Sequence, residues 1–152
     1  MSDDWITSHF RLSEFTRSEY AIRHGIDNAA PADVLARLLV LADGLERVRS
    51  ILGVPVHIQS GYRSGLVNAG IGGHPNSQHC LGEAVDFIAP AYGPPVEICQ
   101  AILDHEELVD FDQLISEGAW AHISFTTRYR PRGQVLTAHF GGGHVSYSEG
   151  LK

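Results

Sequence analysis

The chain contains a single lysine, Lys152, at its last position. Its 11 basic residues are outnumbered by 18 acidic ones, and the formal net charge is -7. Nucleic-acid binding depends on basic side chains that neutralise phosphates. This charge balance therefore argues against nucleic acid as the main partner.

The chain also has no apolar run of the roughly 20 residues that a membrane-spanning helix needs. The first five residues carry neither the basic region nor the apolar region of a secretion signal. Two cysteines, Cys80 and Cys99, are too few for a disulfide framework. We therefore expect both to be buried free thiols, in a protein made in the cytoplasm without a signal peptide.

Length and patterning predict one α+β domain over residues 1–152, acting as a monomer. A chain of 152 residues with 43% hydrophobic content can bury a core of its own. A helical stripe and several β-prone runs predict helices packed on a small antiparallel sheet. The predicted elements are a helix over 31–53, strands over 54–59 and 84–89, a helix from 95 to about 107, a hairpin of 111–117 with 120–125, and a strand over 134–140 ended by glycines 141–143.

The segments Ser77–Asp86 and Trp120–Ser124 offer two imidazoles and one carboxylate that could converge on one ion. Two histidines and an aspartate leave one zinc coordination position open, which is the mark of a catalytic zinc site. Asp86 is the polar residue of an apolar run, and burying a carboxylate is costly unless it is paired or binds a metal. The alternative is an Asp86 that caps a loop or pairs with an arginine.

A candidate general base follows from hairpin geometry. If Gly118 and Ala119 form a two-residue turn, Glu117 faces Trp120 and lies diagonally beside His122 on the same face of the hairpin. A carboxylate there could take a proton from water at the metal site. A one-residue slip in register would move it to the other face. The alternative is a solvated turn residue.

Three separated motifs resemble the M15 zinc D-Ala-D-Ala carboxypeptidase family, and are most similar to its compact peptidoglycan-peptidase branch of phages and prophages. They are Ser60–Ser64, Ser77-x-His79-x-x-Gly82-x-Ala84-x-Asp86, and 112–115 followed by Trp120-x-His122-Ile123-Ser124. The resemblance implies a fold like that of the DD-peptidases and Hedgehog, and one Zn²⁺ per chain. It implies zinc ligands His79, Asp86 and His122.

The same resemblance implies that Arg63 and Ser77 bind the substrate and that Trp120 lines the cleft. Arginine suits this role because its planar fork can hold a carboxylate with two hydrogen bonds. The alternatives are a surface arginine in a turn and a tryptophan used for core packing. One position departs from the family: better-known members have an acid three residues before the last histidine, where this chain has Ala119.

Together these features predict zinc-dependent hydrolysis of an amide bond in peptidoglycan stem peptides, by a carboxypeptidase or an endopeptidase. The site of action would be the cell wall, reached through a lysis system. The competing hypotheses are a non-catalytic zinc-containing wall-binding module and a structural module of a phage particle. Two further features have no assigned role: the Arg128–Arg132 cluster, read as a solvated loop or a contact to an anionic polymer, and the histidines His57, His74, His139 and His144.

Overall fold

A computed structural model describes residues 4–152. The helices are α1 (Leu12–Thr16), α2 (Glu19–His24), α3 (Ala32–Leu52), α4 (Gly65–Gly70), α5 (Pro95–Asp104) and α6 (Glu106–Val109), with a 3₁₀ helix at Gln78–Leu81. The strands are β1 (His57–Ser60), β2 (Ala84–Ile88), β3 (Gln113–Ser116), β4 (Ala121–Ser124), β5 (Gln134–Gly141) and β6 (His144–Glu149). The predicted α+β class is confirmed.

The six strands form one sheet in the order β1-β2-β4-β3-β5-β6. The prediction of an antiparallel sheet is wrong at one ladder, because β5 runs parallel to β3, with Gln113 opposite Gln134. After β4 the chain does not turn back in a hairpin. Residues 125–133 instead cross to the start of β3, where the Gln134 N–H donates to the Asp112 carbonyl at 3.0 Å. The sheet is therefore mixed.

Helix α3 forms where the apolar stripe predicts it and ends at Gly53, whose φ of 68° suits a residue without a side chain. Gly44 lets this helix approach the sheet, since a Cβ there would collide with the Phe125 ring. Helix α5 packs against α3, β3 and β4. The side chains buried between these layers contribute about 1.5–3 kcal/mol each to folding; they include Leu38, Leu41, Leu45, Ile98, Ile102, Leu114 and Ile123.

Several local predictions need correction. The helix expected from 95 to about 107 breaks at His105, which separates α5 from α6. The glycines expected to end β5 instead form a tight turn, because Gly142 and Gly143 both adopt positive φ, and the chain continues into β6. Cys80 is partly exposed, whereas Cys99 is buried as expected. Within residues 4–152, no helix combines the length and apolar character that crossing a membrane requires.

Candidate metal centre

Three separate segments bring His79, Asp86 and His122 together. Asp86 and His122 lie directly opposite each other in the antiparallel pair of β2 and β4. His79 approaches from the 3₁₀ helix that precedes β2, so its segment is not extended. One ligand atom from each of the three buried residues lies within 4.8 Å of the others. The sequence motifs therefore converge, as expected, on one point of the sheet face.

The His79 ring is held in one orientation and one tautomer. Its Nδ1 lies 2.8 Å from the Gly61 carbonyl oxygen, which can only accept, so Nδ1 carries the proton. Nε2 is left with a lone pair, 3.5 Å from Asp86 Oδ1. Burial lowers the pKa of His79 and favours the neutral imidazole, the form that binds metals.

Gly61 itself is fixed by close packing. A Cβ at this position would collide with the backbone of Phe15 in α1, and the neighbouring Tyr62 N–H donates to the Phe15 carbonyl at 2.7 Å. This close packing against α1 positions the Gly61 carbonyl that orients His79. A second backbone contact, from the Arg63 N–H to the His79 carbonyl at 3.1 Å, ties the same two segments together.

Asp86 is a buried carboxylate that contacts an imidazole more closely than it contacts an arginine. Burial alone would raise its pKa, but the hydrogen bond with His122 outweighs burial and holds the pKa well below 3.8. His122 Nδ1 lies 2.9 Å from Asp86 Oδ1. The nearest Arg63 nitrogen is 3.8 Å from Oδ2, too far for a hydrogen bond. The predicted alternative of pairing with an arginine is therefore met in part, by an ion pair without a hydrogen bond.

The chemistry and spacing of the cluster fit a small divalent cation. Ligands about 2.0–2.1 Å from a tetrahedral zinc lie about 3.4 Å from one another. The separations to Asp86 Oδ1 are 3.5 Å from His79 Nε2 and 2.9 Å from His122 Nδ1. Imidazole nitrogens and carboxylate oxygens are ligands that zinc takes in proteins. The three donors form a group that could hold a metal ion such as zinc.

Glu117 lies beside this cluster because the predicted hairpin register is correct. Ile115 pairs with His122, and the Glu117 N–H donates to the Trp120 carbonyl at 3.0 Å across the Gly118-Ala119 turn. Its Oε1 lies 4.0 Å from His122 Nδ1, and its side chain is 15% exposed. Burial raises the pKa of Glu117. It is thus not a solvated turn residue.

The cluster opens into a cleft of about 800 Å³, which Arg63, Ser77 and Trp120 also line. Arg63 Nη1 donates to Asn68 Oδ1 at 3.2 Å, and Ser77 Oγ accepts from the His79 N–H at 3.2 Å. Neither Arg63 Nε nor Trp120 Nε1 has a hydrogen-bond partner among residues 4–152, although both atoms are buried. Arg63 is therefore not a surface arginine. The Trp120 side chain as a whole is half-buried.

The model of the family described as Peptidase M15 matches residues 8–124. The chain belongs to the peptidase M15 family. No curated protein matches the sequence. M15 members are zinc-dependent metallopeptidases, and the cluster described above is a group that could hold the metal. The match ends with β4, so the crossover, β5 and β6 lie beyond it.

Part of the cleft of this M15 chain comes from that C-terminal region. Tyr147 on β6, Leu136 on β5 and Tyr129 in the crossover all line it. Sequence reasoning missed Tyr147 as a cleft residue, because it predicted no strand over the residues that form β6. The Arg128–Arg132 cluster marked the crossover in the sequence. Its role could not be predicted, because the partners of Arg128 and Arg132 are distant in sequence.

The four histidines without an assigned role fall into two groups, one inside the cleft and one outside it. His74 lines the cleft, and its Nδ1 accepts from the Asn76 N–H at 3.0 Å. His57 is exposed on edge strand β1, and His139 contacts Ser148 Oγ at 2.6 Å on the exposed C-terminal hairpin. His144 is also exposed there. Of these four, only His74 lies where it could reach a substrate in the cleft.

Proposed function

We propose that this protein is a zinc metallopeptidase that hydrolyses an amide bond in bacterial peptidoglycan stem peptides. The observation that carries the proposal is the buried group of His79, Asp86 and His122 at the base of an open cleft, with the Glu117 carboxylate beside it. The M15 family supports a peptide substrate. The proposal extends to a D-Ala-D-Ala carboxypeptidase or an endopeptidase that acts on the cell wall as a single domain.

We assign one Zn²⁺ to His79, Asp86 and His122. Zinc held there would polarise the scissile carbonyl and lower the pKa of water. The chain provides for this by burying the ligands and orienting His79 through the Gly61 carbonyl, a contact of the kind that aligns metal-binding histidines.

We assign the general base to Glu117. In the proposed reaction its carboxylate accepts a proton from the attacking water and returns it to the leaving amine. The supporting geometry is a partly buried carboxylate 4.0 Å from the nearest ligand nitrogen. This arrangement favours an enzyme over a wall-binding module or a phage structural module, because binding a ligand or assembling a particle needs no base.

We assign substrate positioning to Arg63, Ser77 and Trp120. The Arg63 side chain lines the cleft, so its guanidinium group can offer donors to a peptide carbonyl or carboxylate. Trp120 likewise offers an apolar surface beside the cluster. Holding the peptide in this way is how an enzyme lowers the entropic part of the barrier.

The test is mass spectrometry of purified peptidoglycan fragments incubated with the protein, with zinc and separately with a chelator. We expect new fragments that differ by the cut of one amide bond, formed with zinc and suppressed by the chelator. The mass of the released piece distinguishes loss of a terminal residue from an internal cut. Unchanged fragments from a fully zinc-loaded, folded protein would contradict the proposal.

A further inference from the structure

The crossover between β4 and β5 is held down by two arginine–carboxylate pairs, here called the arginine clasp. Arg128 contacts Glu83 through Nε at 3.0 Å and Nη2 at 2.7 Å. Arg132 contacts Asp112 through Nε at 3.0 Å and Nη2 at 2.8 Å. The carboxylate side chains are 1% and 0% exposed, whereas the arginine side chains are 44% and 46% exposed. Each pair therefore turns its acid inward and its base outward.

The clasp is internally braced. Both guanidinium groups contact the Tyr129 ring, with Cζ of Arg128 at 5.3 Å and Cζ of Arg132 at 5.9 Å from its centroid, and the Tyr129 hydroxyl donates to Asp112 Oδ2 at 2.8 Å. Gln78 Nε2 donates to both Glu83 and Asp112, at 3.2 and 3.0 Å. These contacts hold both guanidinium groups in place before any ligand arrives, which lowers the entropic cost of binding.

The clasp leaves hydrogen-bond donors unused. A guanidinium group has five N–H donors, and each of these two employs its Nε and Nη2 edge. Among residues 4–152, Nη1 of Arg128 and of Arg132 has no hydrogen-bond partner. Both residues and Tyr129 line the same cleft as the metal cluster. An anion in the cleft would lie nearer to the guanidinium groups than to the buried carboxylates, so attraction would exceed repulsion.

The position of the clasp along the sheet sets its distance from the metal cluster. Ile115 pairs with His122, and Asp112 precedes Ile115 by three residues, immediately before β3. Three residues of β-strand span about 10 Å. An extended peptide lying along the cleft would cover the same span with about three residues.

We propose that Arg128 and Arg132 form an anion subsite of the cleft, which binds a carboxylate on the substrate peptide about three residues from the bond that is cut. The inference rests on the proposed function and narrows its substrate class to acidic peptides. Two charge-assisted contacts from preorganised arginines are worth a binding preference of about tenfold or more over a neutral group. The clasp is then a recognition element as well as a structural one.

The test compares two stem peptides that differ only in whether their internal carboxylates are free or amidated. For the wild-type enzyme loaded with zinc, we expect kcat/KM to be about tenfold higher for the free acid. In Arg132→Gln this ratio should fall to about twofold or less. Arg130→Gln is the matched control, because Arg130 lies in the same loop and is exposed but does not line the cleft. It should keep the wild-type ratio.

A purely structural clasp would slow the hydrolysis of both peptides equally and leave their ratio unchanged, which would overturn the proposal. If Arg132→Gln does not fold, Asp112→Asn with Arg132→Gln removes the buried charge together with its partner, and the same ratio is measured. Cleavage of neither peptide by the wild type would contradict the proposed function instead. In that case, calorimetric Kd values for the two peptides decide the subsite, and equal values would refute it.

Discussion

The protein buries carboxylates at two sites, and their negative charges are compensated by different kinds of partner. In the arginine clasp, two carboxylates meet two guanidinium groups at hydrogen-bonding distance, so the charges cancel within the chain. In the group of His79, Asp86 and His122, the Asp86 carboxylate has two imidazoles for partners, and its nearest arginine nitrogen is 3.8 Å away. A buried charge left without a full partner is costly. The clasp acids are paired directly with arginines, whereas Asp86 is paired chiefly with imidazoles, in a group that could hold a metal ion.

This contrast separates residues that support the fold from residues that we assign to chemistry. The clasp anchors the crossover that makes β5 parallel to β3, and it also shapes the far part of the cleft. The cluster uses hydrogen bonds chiefly to orient its own members. Substitutions at the cluster and its neighbours should therefore affect turnover, and substitutions of the clasp acids should affect stability.

The largest expected effect is that of Glu117→Gln on turnover. Glutamine keeps the size of the side chain but cannot accept the proton, so kcat should fall by about a hundredfold or more. Folding and zinc content should remain as in the wild type, and both must be measured in the same sample. Glu107→Gln is the control, since this exposed residue of α6 lies outside the cleft. Near-normal hydrolysis by a zinc-loaded Glu117→Gln enzyme would reassign the base, with His74 the next candidate.

The second effect concerns the stability of the clasp. Burial raises the pKa of Asp112, but hydrogen bonds from Arg132, Tyr129 and Gln78 outweigh it and lower the pKa from 3.8 to about 2. A folded-state pKa below the unfolded value stabilises the protein above pH 3.8, and this contribution disappears as the pH falls through 2. Asp112→Asn should therefore cost about 2 kcal/mol at neutral pH and almost nothing near pH 2.

The control for this effect is Asp43→Asn. Asp43 also pairs with an arginine, Arg47, at 2.6 Å, but its side chain is 72% exposed. An exposed helix pair of this kind is worth about 0.5 kcal/mol or less. Denaturant unfolding at several pH values measures both variants. An equal cost for the two, or a cost for Asp112→Asn that does not shrink towards acid pH, would remove the distinction between buried and exposed pairs.

The smallest of these effects is that of Arg63→Lys. Lysine keeps the charge but cannot reproduce a two-pronged contact, so kcat/KM should fall by about tenfold while the fold and the zinc content persist. Arg130→Lys, at an exposed position outside the cleft, should behave as the wild type. Steady-state kinetics on a stem peptide measures both. Equal activity of Arg63→Lys and the wild type would show that Arg63 does not hold the substrate.

Sequence reasoning succeeded where the structure depends on local rules. The apolar stripe predicted α3, with its glycine stop, because helix periodicity is encoded over neighbouring residues. The two-residue turn at Gly118 and Ala119 set the register of β3 and β4, and that register placed Glu117 beside His122. The chemistry of an isolated aspartate in an apolar run likewise pointed to Asp86.

Sequence reasoning failed where the residues that pair in the structure are far apart in the sequence. Nothing local relates Arg128 to Glu83 or Arg132 to Asp112, partners 45 and 20 residues apart, so the clasp and the parallel ladder that follows it were not predicted. The 3₁₀ helix that carries His79 also has such a contact, from Gln78 to Asp112, 34 residues away. The glycines 141–143 were read as an end of structure because nothing before them indicates the partner strand β6.

The most direct test of the account is a calorimetric zinc titration of the protein, repeated with His122→Ala and Asp112→Asn. We expect one equivalent of Zn²⁺ to bind and to raise the unfolding temperature, because a ligand bound only by the folded state stabilises it. His122→Ala should lose this binding, and Asp112→Asn, in the clasp, should keep it. Binding of less than about a tenth of an equivalent by the wild type, or unchanged binding in His122→Ala, would contradict the assignment of the metal to this cluster.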